Sequence, residues 1–273
     1  MKTNKVYNES CLTTMSKMHD EFIDLVVTSP PYDNLRTYGQ KDLKELFNFE
    51  IFQNIADELY RVVKEGGVVV WVVGDAVING SESGTSFKQA LYFKEIGFNI
   101  YDTMIYEKSG CPFSNTARYL QMFEYMFVFS KGKPRSINLI KDRKNINHYR
   151  TMNTGTKYRN KSGDLDEIKK EIKIKEMGLR FNIWRYKTGF NNSYKDKFVS
   201  GHPAVFPELL ANDHIISWSN ENDLIYDPFM GSGTVAKMCI INHRNFIGSE
   251  INEKYYNICL KRIDKAKEQS LLF

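Results

Sequence analysis

Two short strings carry the residues best able to do chemistry: Ser29-Pro30-Pro31-Tyr32 and Asp227-Pro228-Phe229-Met230-Gly231-Ser232-Gly233-Thr234. In the first, consecutive prolines fix two φ angles and remove two N–H donors. What remains is a rigid loop with carbonyl and hydroxyl acceptors beside an aromatic ring. That set suits a planar substrate bearing an amino group. Such an amine is a poor nucleophile because its lone pair is delocalised into the ring. Preorganised acceptors that grip its two hydrogens would draw the nitrogen towards tetrahedral geometry. Ser29 Oγ and the Pro30 carbonyl are the candidate acceptors, and Tyr32 is the candidate stacking platform. Asp33, Arg36 and Tyr38 follow at once and are further candidates for contact. The plainer reading is a turn that ends a strand.

In the second string, Gly231 and Gly233 permit a sharp turn and close approach of a ligand to the backbone. Asp227 directs negative charge towards that ligand. A carboxylate is awkward beside a pyrophosphate and suitable beside a sulfonium and an ammonium. Glu250 lies 17 residues beyond Gly233, where a carboxylate can accept from ribose hydroxyls. The Gly231–Ala236 stretch also fits a dinucleotide fingerprint, so a nicotinamide cofactor is an alternative. The glycine turn has no Gly-Lys-Ser/Thr, which argues against a triphosphate loop. A purely structural alternative has Asp227 capping the helix that opens at Thr234 and Glu250 pairing with Lys254.

Each string needs a strand to deliver it. Phe22–Val27 and Leu224–Asp227 read as buried strands, and Val68–Val73 as a central parallel one. Further strands are expected from Val6, over Phe98–Glu107, over Tyr125–Phe129 and over Asn245–Ile251. Apolar spacing predicts helices over Leu43–Val63 (stopped by Gly66-Gly67), Ser86–Ile96, His202–Ile216, Thr234–Ile241 and Glu253–Ala266. Strands alternating with helices define an α/β chain with a mostly parallel sheet. Beyond Lys131 the apolar periodicity collapses until about Gly201, with one helix expected over Leu165–Met177.

The 273 residues suffice for one sizeable α/β domain with an insertion. The net charge of +5 hides a segregation. Residues 131–197 hold nineteen Lys and Arg against seven Asp and Glu, whereas the rest of the chain holds nineteen against twenty-six. A polyanion is the natural partner of such a segment, because phosphates neutralised by Lys and Arg release counterions. The plainer reading is a solvated lysine-rich loop. Cys11, Cys111, Cys239 and Cys259 are scattered without paired spacing, so no metal centre is expected. No apolar run approaches membrane-spanning length, and a soluble, cytoplasmic protein is expected.

Together the two strings resemble the catalytic and cofactor motifs of the DNA amino-methyltransferases, which methylate cytosine N4 or adenine N6 using S-adenosyl-L-methionine. The cofactor string begins 195 residues after Tyr32, an order similar to the β-class permutation. The resemblance runs from about Val6 to about Arg262, the middle excepted. It implies a Rossmann-like methyltransferase fold with a mostly parallel seven-stranded sheet, circularly permuted. Residues 1–130 would form the catalytic half, 131–200 a basic target-recognition insertion and 201–273 the cofactor half.

The resemblance assigns catalysis to Ser29, Pro30, Pro31 and Tyr32, acting on a base that has left the duplex. It assigns cofactor contacts to Asp227, Pro228, Phe229, Gly231, Ser232, Gly233, Thr234 and Glu250. Phe206, Pro207 and Glu208 resemble the motif beside the methionine portion. Asn8-Glu9-Ser10 departs from the Gly-Asp pair that many relatives carry there. The methyl group would pass in one in-line step, and Cys111-Pro112 reverses the order of a nucleophilic Pro-Cys pair. Ser29 resembles the cytosine-N4 enzymes, and Asp at that place is commoner in adenine-N6 enzymes. Lys144 and Lys157 are candidate phosphate contacts; Arg150, Arg159, Arg180 and Arg185 are candidate base readers. The implied partners are double-stranded DNA, a cognate restriction endonuclease in a restriction-modification system, and a second copy of the chain. No membrane or metal is implied. Two other readings compete: methyl transfer to RNA or to a protein glutamine, whose enzymes usually carry Asn-Pro-Pro-Tyr after the cofactor motif, and a nicotinamide-dependent oxidoreductase.

Overall fold

The computed structural model describes residues 1–31, 47–110, 118–146, 148, 151–152, 156–168, 172–188, 193–194, 196, 198–199 and 205–270. Two compact units are present: Met1–Asn138 together with Asn182–Phe273, and Leu139–Phe181.

The larger unit opens with β1 (Lys5–Tyr7), α1 (Cys11–Met15) and β2 (Ile23–Thr28). Next come α2 (Phe49–Val62), β3 (Val63–Val73), a short hairpin of β4 (Val77–Ile78) and β5 (Ser81–Glu82), and α3 (Thr85–Glu95). Strands β6 (Asn99–Lys108) and β7 (Phe123–Ser130) complete its first part. The smaller unit contains β8 (Arg143–Lys144), β9 (Thr151–Met152), β10 (Thr156–Arg159), β11 (Leu165–Ile168), β12 (Ile172–Lys173) and β13 (Met177–Gly178). The chain then returns through β14 (Ile183–Tyr186), α4 (Glu208–Trp218), β15 (Leu224–Asp227), α5 (Thr234–Ile241), β16 (Asn245–Ser249) and α6 (Glu253–Ser270).

Eight strands form the main sheet in the order β1-β16-β15-β2-β3-β7-β6-β14. All neighbours are parallel except β3/β7 and β7/β6. One strand more than expected is present: β14 adds itself alongside β6, pairing Ile183 with Ile105. It comes from the stretch 131–200, where no strand was expected. Val68–Val73 is buried throughout, as a central strand covered on both faces requires. Helix α2 is started by Asn48, whose Oδ1 accepts from Ile51 N at 2.9 Å. It buries Phe52, Ile55, Ala56, Leu59 and Val62 in the core that also holds Trp71, Phe93 and Phe129.

Two local expectations are corrected. Helix α2 ends at Val62, and Gly66-Gly67 lie inside β3 rather than stopping the helix. Gly66, at φ +78°, sits where β2/β3 pairing shifts register between Ile23 and Leu25, so the glycines make a bulge. No helix spans Leu165–Met177. β10 and β11 form an antiparallel hairpin instead, with Lys157 opposite Glu167. Its turn is built by Asn160, whose Oδ1 accepts from Ser162 N and Asp164 N at 3.0 Å each, and by Gly163 at φ +90°. That turn chemistry outweighed the helical spacing of Leu165, Ile168 and Ile172. The pairs β8/β13 and β9/β12 are also antiparallel and enclose this hairpin, making a nested two-stranded ribbon.

Candidate active site

Parallel pairing places the carboxyl ends of β1, β16, β15, β2 and β3 along one edge, where open α/β sheets bind ligands. Strands β2 and β15 are direct neighbours, with Val26 opposite Tyr226. The two strings, far apart in sequence, therefore leave the sheet side by side. A hydrogen bond joins their roots: Thr28 Oγ1 donates to Asp227 Oδ1 at 2.6 Å, and both residues are buried. Beyond it Pro30 is buried, and Ser29 and Pro31 are half-buried. Tyr32, Asp33, Arg36 and Tyr38 lie outside the described residues.

Asp227 Oδ1 also accepts from Phe229 N at 3.0 Å. Burial pushes the Asp227 carboxyl up to about 7, against the pull of the Thr28 and Phe229 hydrogen bonds. Burial raises Glu250 as well, against hydrogen bonds from Asn252 N and Gly231 N. The glycine turn is closed by Met230 N to Ser249 O at 2.9 Å, Gly231 N to Glu250 Oε2 at 2.7 Å and Gly233 N to Met230 O at 2.9 Å. The other Glu250 oxygen accepts from Asn252 N at 2.8 Å. Gly233, not Asp227, occupies the N-cap of α5, and the Glu250 carboxylate grips the backbone of the turn. Gly233 stands at φ +82°, and a Cβ there would lie 2.6 Å from Cys259 Sγ, so only glycine lets the turn sit on α6.

Phe229 turns its ring to Phe47 (centroids 5.6 Å apart) and Trp71 (6.1 Å), anchoring the turn in the core. Pro228 is buried beside it. Asn8, at the departure from the usual Gly-Asp pair, donates from Nδ2 to Glu250 O at 2.8 Å and so braces the carboxylate's backbone. Ser232 and Thr234 face inward to the buried Arg262, whose Nη1 reaches Thr234 Oγ1 at 2.8 Å. Thr234 Oγ1 in turn donates to the Phe206 carbonyl at 3.1 Å. Thr28 and Arg262 escaped sequence reasoning. Their roles come from contacts between distant segments, and their types carry no local signal.

The candidate DNA contacts are spread over both units. Arg185 is on β14 in the larger unit and pairs with Glu107 of β6. Arg180 is in the smaller unit, where its guanidinium grips Asp142 from Nε at 3.0 Å and also from Nη2. Arg159 Nη1 donates to Gly163 O at 3.0 Å across the hairpin turn. Lys144 is on β8 and Lys157 on β10, both exposed, and Arg150 lies outside the described residues. Among the described residues, no helix is long and apolar enough to cross a membrane, and no cluster of three or more His, Cys, Asp or Glu is placed to hold a metal.

Two carboxylates stand beside a glycine turn at the carboxyl edge of a mostly parallel α/β sheet, the edge at which such sheets bind nucleosides. Comparison with known proteins narrows the class. Residues 23–261 match the family model described as DNA methylase, and the chain belongs to that family. It is 56% identical over 241 residues to the orphan methyltransferase M.BamHII of Bacillus amyloliquefaciens, covering 88% of each chain. Its fold is like that of the PvuII DNA methyltransferase (cytosine-N4-specific), with TM-score 0.68, 19% identity and coverage of 99% of this chain and 93% of that one. It is also like a putative DNA modification methylase of Thermus thermophilus complexed with S-adenosyl-L-methionine, with TM-score 0.62, 21% identity and coverage of 96% and 95%. The resemblance carried by the two strings is thereby borne out, and the oxidoreductase reading is set aside.

Proposed function

We propose that this chain methylates the exocyclic amino group of a base flipped from duplex DNA, cytosine N4 in preference to adenine N6, with S-adenosyl-L-methionine as donor. The observation that carries the proposal is the 2.6 Å bond from Thr28 to Asp227, which ties the base string to the cofactor string at adjacent strand ends. The cofactor fits the residues present, since a buried Asp227 and a half-buried Glu250, both with raised pKa values, suit a ligand carrying a sulfonium and an ammonium. Asp227, Glu250, the Gly231–Thr234 turn and Phe206 would hold it. When bound, it supplies an electrophilic methyl group.

The chain's own groups do the rest. Ser29 Oγ and the Pro30 carbonyl accept from the amino group and orient its nitrogen, while Tyr32 stacks on the extruded base. The hydroxyl at Ser29 supports cytosine, because it keeps a carboxylate away from that base's carbonyl and ring-nitrogen acceptors. Adenine N6 is the alternative. For DNA we favour the unit Leu139–Phe181, whose two-stranded ribbon is of a width that a major groove admits. Lys144 and Lys157 would contact phosphates. Arg159 and Arg180 would read bases only after leaving Gly163 and Asp142, and Arg185 only after leaving Glu107. Action in a restriction-modification setting, and a second copy of the chain as partner, are part of the same proposal. Sequencing of modified bases in host DNA, with and without the gene, tests it: a methylated site that disappears with the gene supports the reading.

A further inference from the structure

Arg262 is fully buried in the middle of α6, a place where packing alone would call for an apolar side chain. Its Nη1 donates to Thr234 Oγ1 at 2.8 Å, to Ser232 Oγ at 3.2 Å and to Ser232 O at 3.3 Å. Nη2 donates to Glu208 Oε1 at 2.7 Å, and Nε lies 3.4 Å from Asp196 Oδ2. One side chain thus joins the glycine turn, the first residue of α4 and the segment before α4. Lys237 of α5 bridges the same two carboxylates, at 2.8 Å to each. Lys265 reaches Asp196 at 2.6 Å. Burial would raise the Asp196 carboxyl, but the Lys237 and Lys265 hydrogen bonds hold it down at about 2. Desolvating Arg262, Asp196, Lys237 and most of Glu208 is costly and adds little net stability over an apolar core. What the arrangement does supply is geometry, because a planar guanidinium holds its five donors in a fixed fork, whereas the donors of an ammonium rotate.

We propose that Arg262 is a positioning residue for the cofactor, holding the Gly231–Thr234 turn at a set distance from Phe206–Glu208 so that both sides of the cofactor crevice keep their spacing. The proposal rests on the reading of that turn as the cofactor site. The relay from Thr234 Oγ1 to the Phe206 carbonyl spans the two sides directly.

A merely structural Arg262 would change stability and leave the affinity of the folded protein alone. In Arg262→Lys the charge facing Glu208 and Asp196 is kept and the fork to Ser232 and Thr234 is lost. We expect cooperative unfolding near the wild-type Tm. S-adenosyl-L-methionine should bind about tenfold more weakly by calorimetry, the equivalent of one lost charge-assisted hydrogen bond. At saturating cofactor, kcat should stay within about threefold and the KM for duplex DNA should not move, the pattern of a binding defect confined to one ligand. Thr234→Val removes the nearest of the three turn-side acceptors, and the relay to the Phe206 carbonyl with it, while sparing the ion pairs, and it should weaken cofactor binding in the same direction. It decides the matter if Arg262→Lys does not fold. A folded Arg262→Lys or, failing that, a folded Thr234→Val that binds the cofactor within about twofold of wild type overturns the proposal. Wild-type protein that binds no S-adenosyl-L-methionine would overturn the site reading and the proposal with it.

Discussion

Asp227 and Ser29 answer to different measurements, because one should hold the donor and the other the acceptor. With its carboxyl pushed up to about 7 by burial, Asp227 is largely protonated in weak acid and ionised above neutrality. A cationic ligand binds the ionised form, so affinity falls as pH drops through about 7. Calorimetry should give a dissociation constant for S-adenosyl-L-methionine about tenfold weaker at pH ~6 than at pH ~8. In Asp227→Asn that dependence should vanish and binding should be weak throughout; a wild-type profile flat across this range would contradict the assignment. For the free protein the folded state holds this proton more tightly than the unfolded chain does. Its contribution to stability therefore declines as pH rises from the ordinary carboxylate range to about 7. Ser29→Ala should leave cofactor affinity unchanged and cost about 2–4 kcal/mol in the transition state, by analogy with loss of one preorganised partner. Single-turnover methylation at more than about a third of the wild-type rate would remove Ser29 from the mechanism.

Between elements, the decisive contact is the seam of β2 and β15, where Thr28 meets Asp227. Thr28→Val takes a donor from a buried carboxylate, so the Asp227 titration should move further up. The pH at which cofactor binding is half lost should rise with it, read from the same calorimetric series; an unmoved midpoint would mean that the seam does not tune the site. Gly233→Ala forces a side chain at φ +82° and 2.6 Å from Cys259 Sγ. It should cost at least about 1 kcal/mol, seen as a lower Tm. These elements differ in how far the sequence announced them. β15 and α5 keep their expected bounds, Leu224–Asp227 and Thr234–Ile241, because an apolar run, two glycines and a second apolar run follow in one stretch. Leu165–Met177 was misread because Leu165, Ile168 and Ile172 keep helical spacing and the deciding partner, Thr156–Arg159, precedes it across the turn. The Arg262 network was illegible for a stronger reason. Its members are a buried Arg, two Lys, an Asp and a Glu on four segments, and nothing local distinguishes them from surface charges.

At the scale of the whole chain, charge segregation was visible in the sequence, but the division of labour was not. The compact smaller unit spans Leu139–Phe181, shorter than the basic stretch, and β14 with Arg185 belongs to the larger unit's sheet. Replacing Leu139–Phe181 by a short Gly/Ser linker should therefore spare cofactor binding and abolish methylation of duplex DNA, and a variant that still methylates at full rate would move target reading elsewhere. Binding of intact protein to duplex DNA should weaken by orders of magnitude between ~50 and ~200 mM salt if several phosphates are contacted. The measurement that goes most directly to the central claim is nucleoside mass spectrometry of duplex DNA incubated with the protein and S-adenosyl-L-methionine labelled in its methyl group. The account predicts label in N4-methylcytosine, lost in Ser29→Ala. Label in N6-methyladenine would overturn the choice of base, and label at a ring carbon, or none in DNA, would contradict amino-group transfer itself.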